Sequence, residues 1–275
     1  MSGRYLNFVN NTTGIDCFIV LLLISNDLMG ISFIMAVNLA VAGILLVLLI
    51  RFAWNMYFSA AFYPQAWISA KKSGTVTRRL SFLSRTYPDK VRFFAWWLQV
   101  ERLKREKVPG AFAEVGVYKG ESARVLHHMD PGRQLHLFDT FEGFTKRDLK
   151  VETGEAATYT SRHFADTHAR DVLKKIDGNG NIIIHKGYFP DTAAETGDTA
   201  FALVNLDADL YQPTLAALEY FYPRLSRGGV IFVHDYNYKW EGICRAVDEF
   251  VAASDIVPVL LPDADSTVIL VKNKK

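Results

Sequence analysis

Acidic and histidine side chains follow a series of short apolar runs in this 275-residue chain. Each run has the length and composition of a buried strand, and the group that ends it can bind a cation or move a proton. The six residues are Glu114, Asp139, Asp207, Asp209, His234 and Asp235. Because the carboxyl ends of neighbouring parallel strands open into one crevice, we expect these side chains to share a site.

The first part of this set has the spacing of a nucleotide-type ligand site. In EVGVYKG, Gly116 and Gly120 permit a tight strand-to-helix turn, and Ser122 adds a hydroxyl where helix N–H groups are unpaired. Asp139 ends the next predicted strand, where an acidic residue usually holds a ribose hydroxyl pair. The motif is looser than GxGxxG, so a plain turn and a helix cap are the alternatives.

The later residues of the set form an acidic cluster. Asp207 and Asp209 follow the fourth predicted strand, and His234 and Asp235 follow the fifth, its expected neighbour. Carboxylates this close repel and raise each other's pKa, a conflict that a divalent cation relieves. Mg²⁺ takes few carboxylates and leaves positions for substrate oxygens, so the cluster favours a metal at an acceptor site. The alternative is that Asp209 and Asp235 only cap helices.

These strand ends belong to a regular alternation of strands and helices that begins near Ala111. The alternation predicts a doubly wound α/β sheet, closed by an antiparallel pair at 257–261 and 267–272. Residues 88–107 have apolar positions at helical spacing and predict an amphipathic helix on the domain edge. The polar stretch 145–163 has the length and composition of a lid.

Five motifs, in order along the chain, resemble those of the macrocin O-methyltransferase family: EVGVYKG, DTFEGF, GYFPDT, LDADLY and GGVIFVHDY. The resemblance covers residues 87–275 and leaves the N-terminal part without a counterpart. It implies a class I, Rossmann-like methyltransferase sheet of seven strands. It also implies S-adenosylmethionine as cofactor and a sugar hydroxyl of a natural product as methyl acceptor.

The resemblance also implies roles for single residues on the cofactor side. Glu114, Gly116 and Ser122 would hold the methionine end of S-adenosylmethionine. Asp139 would bind its ribose, and Tyr188 would lie near its adenine.

On the acceptor side, the family motif has Asp-Asp-Tyr where this chain has His234, Asp235 and Tyr236. The resemblance implies Asp207 and Asp235 as ligands of a divalent metal, with Mg²⁺ the best suited. His234 is then either a third ligand, which suits softer metals better, or a general base. Asp207 with a metal, or His234 without one, would take the proton of the acceptor hydroxyl. Whether a metal is required stays open.

The N-terminal part is strongly apolar. Residues 28–50 contain no charged side chain and are long enough to cross a bilayer of about 30 Å. A shorter apolar run at 15–26 leaves both a single span and a hairpin open. A signal peptide would need a basic start and a small-residue cleavage site. We therefore expect a membrane anchor over residues 1–53.

Basic residues follow the anchor, whereas only Arg4 precedes it. The positive-inside rule then places the methyltransferase domain, residues 88–275, in the cytoplasm. Residues 54–87 have the composition of a basic, aromatic linker. Its aromatic side chains either line the membrane interface or pack on the domain.

Net charge and cysteine content exclude two classes of protein. A net charge of +2 gives no overall basic field for nucleic acid, and two distant cysteines, Cys17 and Cys244, predict no structural disulfide. We expect a membrane-tethered O-methyltransferase acting on a hydroxyl of a sugar or of a glycosylated or lipid-linked small molecule. The alternatives are a membrane-anchored binding or scaffold protein with a degenerate methyltransferase fold, and a nucleotide-sugar or NAD-linked enzyme. The oligomeric state, monomer or homo-oligomer, stays open.

Overall fold

The computed structural model describes residues 32–54, 63–178, 180–237 and 239–273. The chain forms two compact units, Met1–Phe62 and Tyr63–Lys275. In the first unit the described residues form one helix, α1 (Ser32–Trp54).

Helix α1 is 23 residues long and strongly apolar, with a mean hydropathy of 2.8 in its most apolar window. At about 1.5 Å per residue this length is sufficient to cross the ~30 Å hydrocarbon core of a bilayer. None of that window is buried. The helix overlaps the predicted span at 28–50, whereas the apolar run at 15–26 lies outside the described residues. The choice between one span and a hairpin therefore stays a prediction.

The second unit alternates helices and strands. Its helices are α2 (Gln65–Lys72), α3 (Arg78–Thr86), α4 (Lys90–Arg105), α5 (Glu121–Met129), α6 (Lys146–Leu149), α7 (Ala169–Ile176), α8 (Tyr211–Arg224) and α9 (Glu241–Ala252). Its strands are β1 (Ala111–Val115), β2 (Leu135–Asp139), β3 (Ile182–Lys186), β4 (Phe201–Leu206), β5 (Leu225–Val233), β6 (Val259–Leu260) and β7 (Val268–Val271). Short 3₁₀ turns lie at Gly154–Thr158 and Asp191–Thr196.

The strands form a mixed sheet in the order β3-β2-β1-β4-β5-β7-β6. The pairs among β1 to β5 are parallel, and β7 and β6 are antiparallel. This confirms the predicted doubly wound sheet and its antiparallel end pair. The chain leaves β1 towards β2 on one side and β4 lies on the other, so the order reverses between β1 and β4. In such sheets ligands bind outside the carboxyl ends of the strands at this reversal.

Residues 63–87 fold into the second unit, whereas the sequence predicts a linker there. The indole ring of Trp67 on α2 is fully buried and packs edge-to-face on Phe93, Phe94 and Trp97 of α4, with centroids 5.1–5.7 Å apart. Burying large aromatic rings is more favourable than leaving them exposed in a linker, which explains why residues 63–87 pack on the domain. Among the predicted interfacial aromatics, Trp67 therefore packs on the domain.

Helix α4 is the amphipathic helix that the sequence predicts, with slightly shorter bounds. Asp89 caps it, since its carboxylate accepts the backbone N–H of Arg92 at 2.9 Å. One face buries Phe93, Trp96 and Val100 against the sheet, and the last turn is basic. The packing holds the first turn of α4, with Arg92, beside the carboxyl ends of β4 and β5.

We predict that Trp67→Ala destabilises the second unit by about 3–5 kcal/mol, because it leaves a cavity under α4. Phe82→Ala, an aromatic truncation on the neighbouring helix, removes a ring that is 47% exposed and should change stability by less than about 0.5 kcal/mol. Thermal unfolding of the full chain in detergent measures both. Equal effects of the two variants would mean that α2 is not part of the folded unit.

Candidate functional site

Backbone hydrogen bonds join the end of β1 to β2 on one side and to the end of β4 on the other. Gly116 N–H donates to Phe138 O at 3.0 Å, and Asp207 N–H donates to Val115 O at 2.9 Å. Gly116 has φ +81°, and a Cβ there would lie 1.9 Å from the carbonyl oxygen of Asp207. Only glycine fits this turn, because a side chain at position 116 would collide with Asp207 and keep the two strand ends apart.

A cleft opens at these strand ends. Gly116, Asp139 and Tyr188 line it, as predicted for a cofactor site. Ser122 lines an adjoining recess beside Gly120. Both hollows share Gly116, Tyr118, Phe164, Asp207 and Asp209 as walls. The structure thus brings together the predicted cofactor residues and the first two residues of the acidic cluster.

Glu114 lies on β1 directly behind this cleft and is fully buried. The register of β1 and β4 sets it opposite Asn205, whose side-chain N–H donates to Glu114 Oε1 at 2.8 Å. Its other oxygen, Oε2, makes no hydrogen bond of normal geometry among the described residues, although the Ser122 hydroxyl is near enough to lower the pKa of the carboxyl. Burial raises the pKa of Glu114 to about 8, so the carboxyl is largely neutral near pH 7.

Asp139 holds the turn that follows β1. Its Oδ2 accepts the backbone N–H groups of Val117 at 2.7 Å and Tyr118 at 2.8 Å, and Oδ1 accepts Phe141 N–H at 2.6 Å. These bonds fix the loop after β1 and the turn after β2 and are not the helix cap that the sequence left as an alternative, since α5 follows Gly120 and α6 is capped by Thr145. A carboxylate has about four acceptor positions, so Oδ1 can still accept a hydroxyl from a ligand in the cleft.

Tyr188 stands on the β3 side of the cleft. Its hydroxyl donates to Asp148 Oδ1 at 2.8 Å, and the guanidinium of Arg147 lies 5.3 Å from the centre of its ring. Burial, followed by the bond to Asp148, raises the pKa of Tyr188 to about 12. The ring is therefore a neutral, fixed wall of the cleft.

Three carboxylates form the acidic cluster: one oxygen each from Asp207, Asp209 and Asp235 lie within 4.8 Å of one another. Asp209 and Asp235 have φ values of 60° and 63°, a left-handed conformation that costs non-glycine residues free energy and often marks functional sites. Burial raises the pKa of all three, and the charge of Asp207 raises the pKa of Asp209 and Asp235 further. Closely spaced hard oxygen donors of this kind fit a divalent cation such as Mg²⁺.

Arg92 supplies positive charge beside this cluster. Its Nε lies 2.9 Å from Asp263 Oδ2, and its terminal nitrogen lies 3.4 Å from Asp265 Oδ2. Its charge opposes the effect of burial on the pKa of Asp207. Sequence reasoning missed Arg92, because its helix precedes the first strand and no motif marks it.

The structure does not bring His234 into the acidic cluster. Its ring is 1% exposed, with Nε2 at 2.6 Å from Asn205 Oδ1 and Nδ1 at 3.0 Å from Thr267 Oγ1. Burial holds its pKa well below the usual value, so the imidazole is neutral. A ring whose two nitrogens are both bonded inside the protein cannot ligate a metal or take a proton without losing a buried bond. The third member of the cluster, beside Asp207 and Asp235, is Asp209, whereas the sequence analysis considered His234 for that place.

The family model for macrocin-O-methyltransferases (TylF) matches residues 88–270. The chain belongs to this family. The match confirms the resemblance carried by the five sequence motifs, and the macrocin-O-methyltransferase segment begins after α2 and α3.

Named relatives of this family member are sugar O-methyltransferases. The 8-demethyl-8-(2,3-dimethoxy-alpha-L-rhamnosyl)-tetracenomycin-C 4'-O-methyltransferase of Streptomyces olivaceus is 29% identical over 148 residues, 50% of this chain and 57% of that protein. The mycinamicin III 3''-O-methyltransferase of Micromonospora griseorubida is 30% identical over 150 residues, 50% of this chain and 59% of that protein. The chain thus spans less than two thirds of either relative.

The solved structure of the O-methyltransferase NovP shares the fold. It is 24% identical with a TM-score of 0.58, and the match covers 67% of this chain and 80% of that chain. The family member therefore has a methyltransferase α/β fold with a mixed seven-stranded sheet.

We predict that the pH dependence of stability differs between the wild type and Glu114→Gln. The pKa of Glu114 is raised from 4.5 to about 8 on folding, so its neutral form stabilises the native state at low pH and this contribution is lost as the pH rises through 8. Between about pH 5 and pH 9 the ligand-free wild type should lose up to about 5 kcal/mol more than Glu114→Gln, which cannot ionise.

Thermal unfolding of both proteins across this pH range measures the difference. The other buried carboxyls are present in both chains and cancel in the comparison. Parallel curves for the two proteins would show that Glu114 is ionised at neutral pH in the ligand-free state.

Proposed function

We propose that this chain is an S-adenosylmethionine-dependent O-methyltransferase whose acceptor is a hydroxyl on a sugar or a glycosylated small molecule. The observation that carries the proposal is one cleft with two chemical halves: Asp139 lines one side, with Glu114 buried on β1 behind it, and Asp207 and Asp209 of the acidic cluster line the other. Membership of the family and the activities for which the relatives are named support the reaction and the acceptor class.

The residues of the cleft fit the cofactor. Glu114 Oε2 is buried and makes no hydrogen bond of normal geometry in the described part of the chain, which suits the ammonium of the methionine part of the cofactor. Gly116 keeps the turn free of side chains, and Asp139 Oδ1 retains acceptor capacity for a ribose hydroxyl. Tyr188 supplies a rigid aromatic wall next to the position proposed for the adenine. When bound, S-adenosylmethionine supplies an electrophilic methyl group carried on a sulfonium.

On the acceptor side, Asp207 is the proposed proton acceptor. It is half-buried and lies on both hollows of the cleft, where a bound hydroxyl can approach it. In the metal-free protein burial raises its pKa, which makes it a stronger base than a solvated aspartate. Asp209 and Asp235 complete the set that would hold a divalent cation, which would lower the pKa of an acceptor hydroxyl. His234 positions Asn205, and through it Glu114, by the bonds described above.

Helix α1 is the proposed membrane anchor, with the methyltransferase domain in the cytoplasm. Its length and composition, its solvent-exposed apolar side chains and the basic residues that follow it support this assignment. The tether would concentrate the enzyme where lipid-linked glycan acceptors lie. Retention of the full chain in membranes after an alkaline wash tests the anchor, and its release would contradict it.

We predict that the full chain transfers a labelled methyl group from S-adenosylmethionine to glycoside acceptors. Asp207→Asn should lower kcat by roughly 100-fold or more, since it removes the proton acceptor, with little change in cofactor affinity. Glu114→Gln should weaken S-adenosylmethionine binding about 10- to 100-fold, because it removes a charge-assisted bond.

Calorimetry and a transfer assay measure these effects. Glu219→Gln, which neutralises an exposed carboxyl on α8, is the matched control and should alter neither. Absence of S-adenosylmethionine binding by the wild type would instead support a scaffold protein with a degenerate methyltransferase fold.

We predict that chelation with EDTA lowers the transfer rate and that Mg²⁺ restores it, because the three clustered carboxylates need a counter-charge. Asp235→Asn should weaken the response to Mg²⁺, so that more metal is needed for half-maximal recovery. Transfer that is indifferent to EDTA would show that the cluster works without a metal.

A further inference from the structure

We propose that the exposed faces of α2 and α3 form a surface that binds anionic lipid headgroups. We call it the basic surface, and it consists of Lys71, Lys72, Arg78, Phe82 and Arg85. The proposal rests on the membrane attachment proposed above and extends it from the anchor to the folded domain.

All charged residues of this region are basic. Residues 63–88 contain five Lys or Arg and no Asp or Glu, although the whole chain has a net charge of only +2. Positive charge is thus concentrated in the 26 residues that open the second unit. A run of cations without acidic neighbours is complementary to the negative potential of a membrane rich in anionic lipids.

The packing of α3 fixes which side chains face outward. Its buried face consists of Leu80, Leu83 and Ser84. Arg78 and Arg85, at positions i and i+7, share the opposite face with Phe82 at i+4, and all three are exposed. An exposed aromatic ring between two arginines has the composition of an interfacial helix face, in which the ring enters the headgroup region and the guanidinium groups bind phosphates.

The cations of the basic surface are available. Arg79 forms an ion pair with Asp177 at 3.5 Å and is therefore not part of the basic surface. Lys71, Lys72, Arg78 and Arg85 make no ion pair within the part of the chain that the structure describes. An internal salt-bridge role therefore does not explain why four exposed cations are collected on two adjacent helices.

The position of these helices in the sequence favours a membrane over an acidic protein as the partner. The apolar helix α1 ends at Trp54, and only residues 55–62 separate it from the unit that α2 opens. A membrane-inserted α1 therefore keeps the following helices close to the headgroups on a short tether. The family match starts at residue 88, so α2 and α3 lie outside the segment shared with the family.

A spin label at position 82 of the full chain tests the proposal. The label is attached to Phe82→Cys in a chain in which Cys17 and Cys244 are changed to serine, reconstituted in nanodiscs. The discs contain phosphatidylcholine alone or a mixture with phosphatidylglycerol. We expect collisions with a water-soluble nickel chelate to fall severalfold in the anionic discs and to recover at high salt, since salt screens the attraction.

Two controls isolate the cause. The variant with Lys71, Lys72, Arg78 and Arg85 all changed to Gln should lose the protection. Changing Arg105, Lys107, Arg170 and Lys174 to Gln, which removes the same charge elsewhere, should keep it. A label at Glu219→Cys on α8, whose core lies on the opposite face of the sheet, should stay accessible in both lipids.

Equal accessibility at position 82 in both kinds of disc would overturn the proposal, and so would a chain that leaves the discs. The second outcome would also refute the anchor, whereas the first would leave the anchor intact. Methyl transfer is measured separately, so its failure would bear on the proposed reaction and not on this surface.

Discussion

The repulsion among carboxylates confined at one edge of the sheet is the constraint around which this site is arranged. Glu114, Asp207, Asp209 and Asp235 are all buried or half-buried, and burial raises the pKa of each. Without opposing charge such a cluster is neutral and costly to ionise. The protein opposes it with Arg92, and the proposed ligands, a sulfonium cofactor with its ammonium and a divalent cation, would add the remaining positive charge. Binding of these cations would relieve the repulsion, so the burial that destabilises the ionised carboxylates in the ligand-free state would increase the affinity of the site for cations.

A chain of buried hydrogen bonds connects the two halves of the cleft. It runs from Glu114 through Asn205, His234 and Thr267 to Asp263, whose carboxylate accepts the backbone N–H of Thr267 and the Nε–H of Arg92. These residues lie on β1, on β4, just after β5, in the turn before β7 and on α4, so the chain of bonds crosses the sheet. A buried polar network of this kind fixes the position of every member, because loss of one bond leaves its partner unsatisfied. This explains why a histidine at the end of β5 has a positioning role here.

The sequence predicted most of the sheet and only part of the site. Strands β1 and β4 are predictable because each is an apolar run with a single polar residue, Glu114 or Asn205. The start of strand β5 at Leu225 is not predictable from the sequence, because Gly228 and Gly229 within it have the composition of a turn. Arg92 and the packing of residues 63–87 depend on contacts between distant parts of the chain, which local patterns do not contain. The motif locates His234 at the end of β5, but its role follows only from its hydrogen bonds with Asn205 and Thr267.

A crystal structure of the full chain with S-adenosylhomocysteine and Mg²⁺ tests the central claim, that one cleft joins a cofactor half to an acidic acceptor half. The account predicts that the amino group of the ligand donates to Glu114 Oε2, that its sulfur faces Asp207, and that metal density contacts Asp207, Asp209 and Asp235. Cofactor bound outside this cleft, or a bound cofactor that leaves Glu114 Oε2 without a partner, would contradict it.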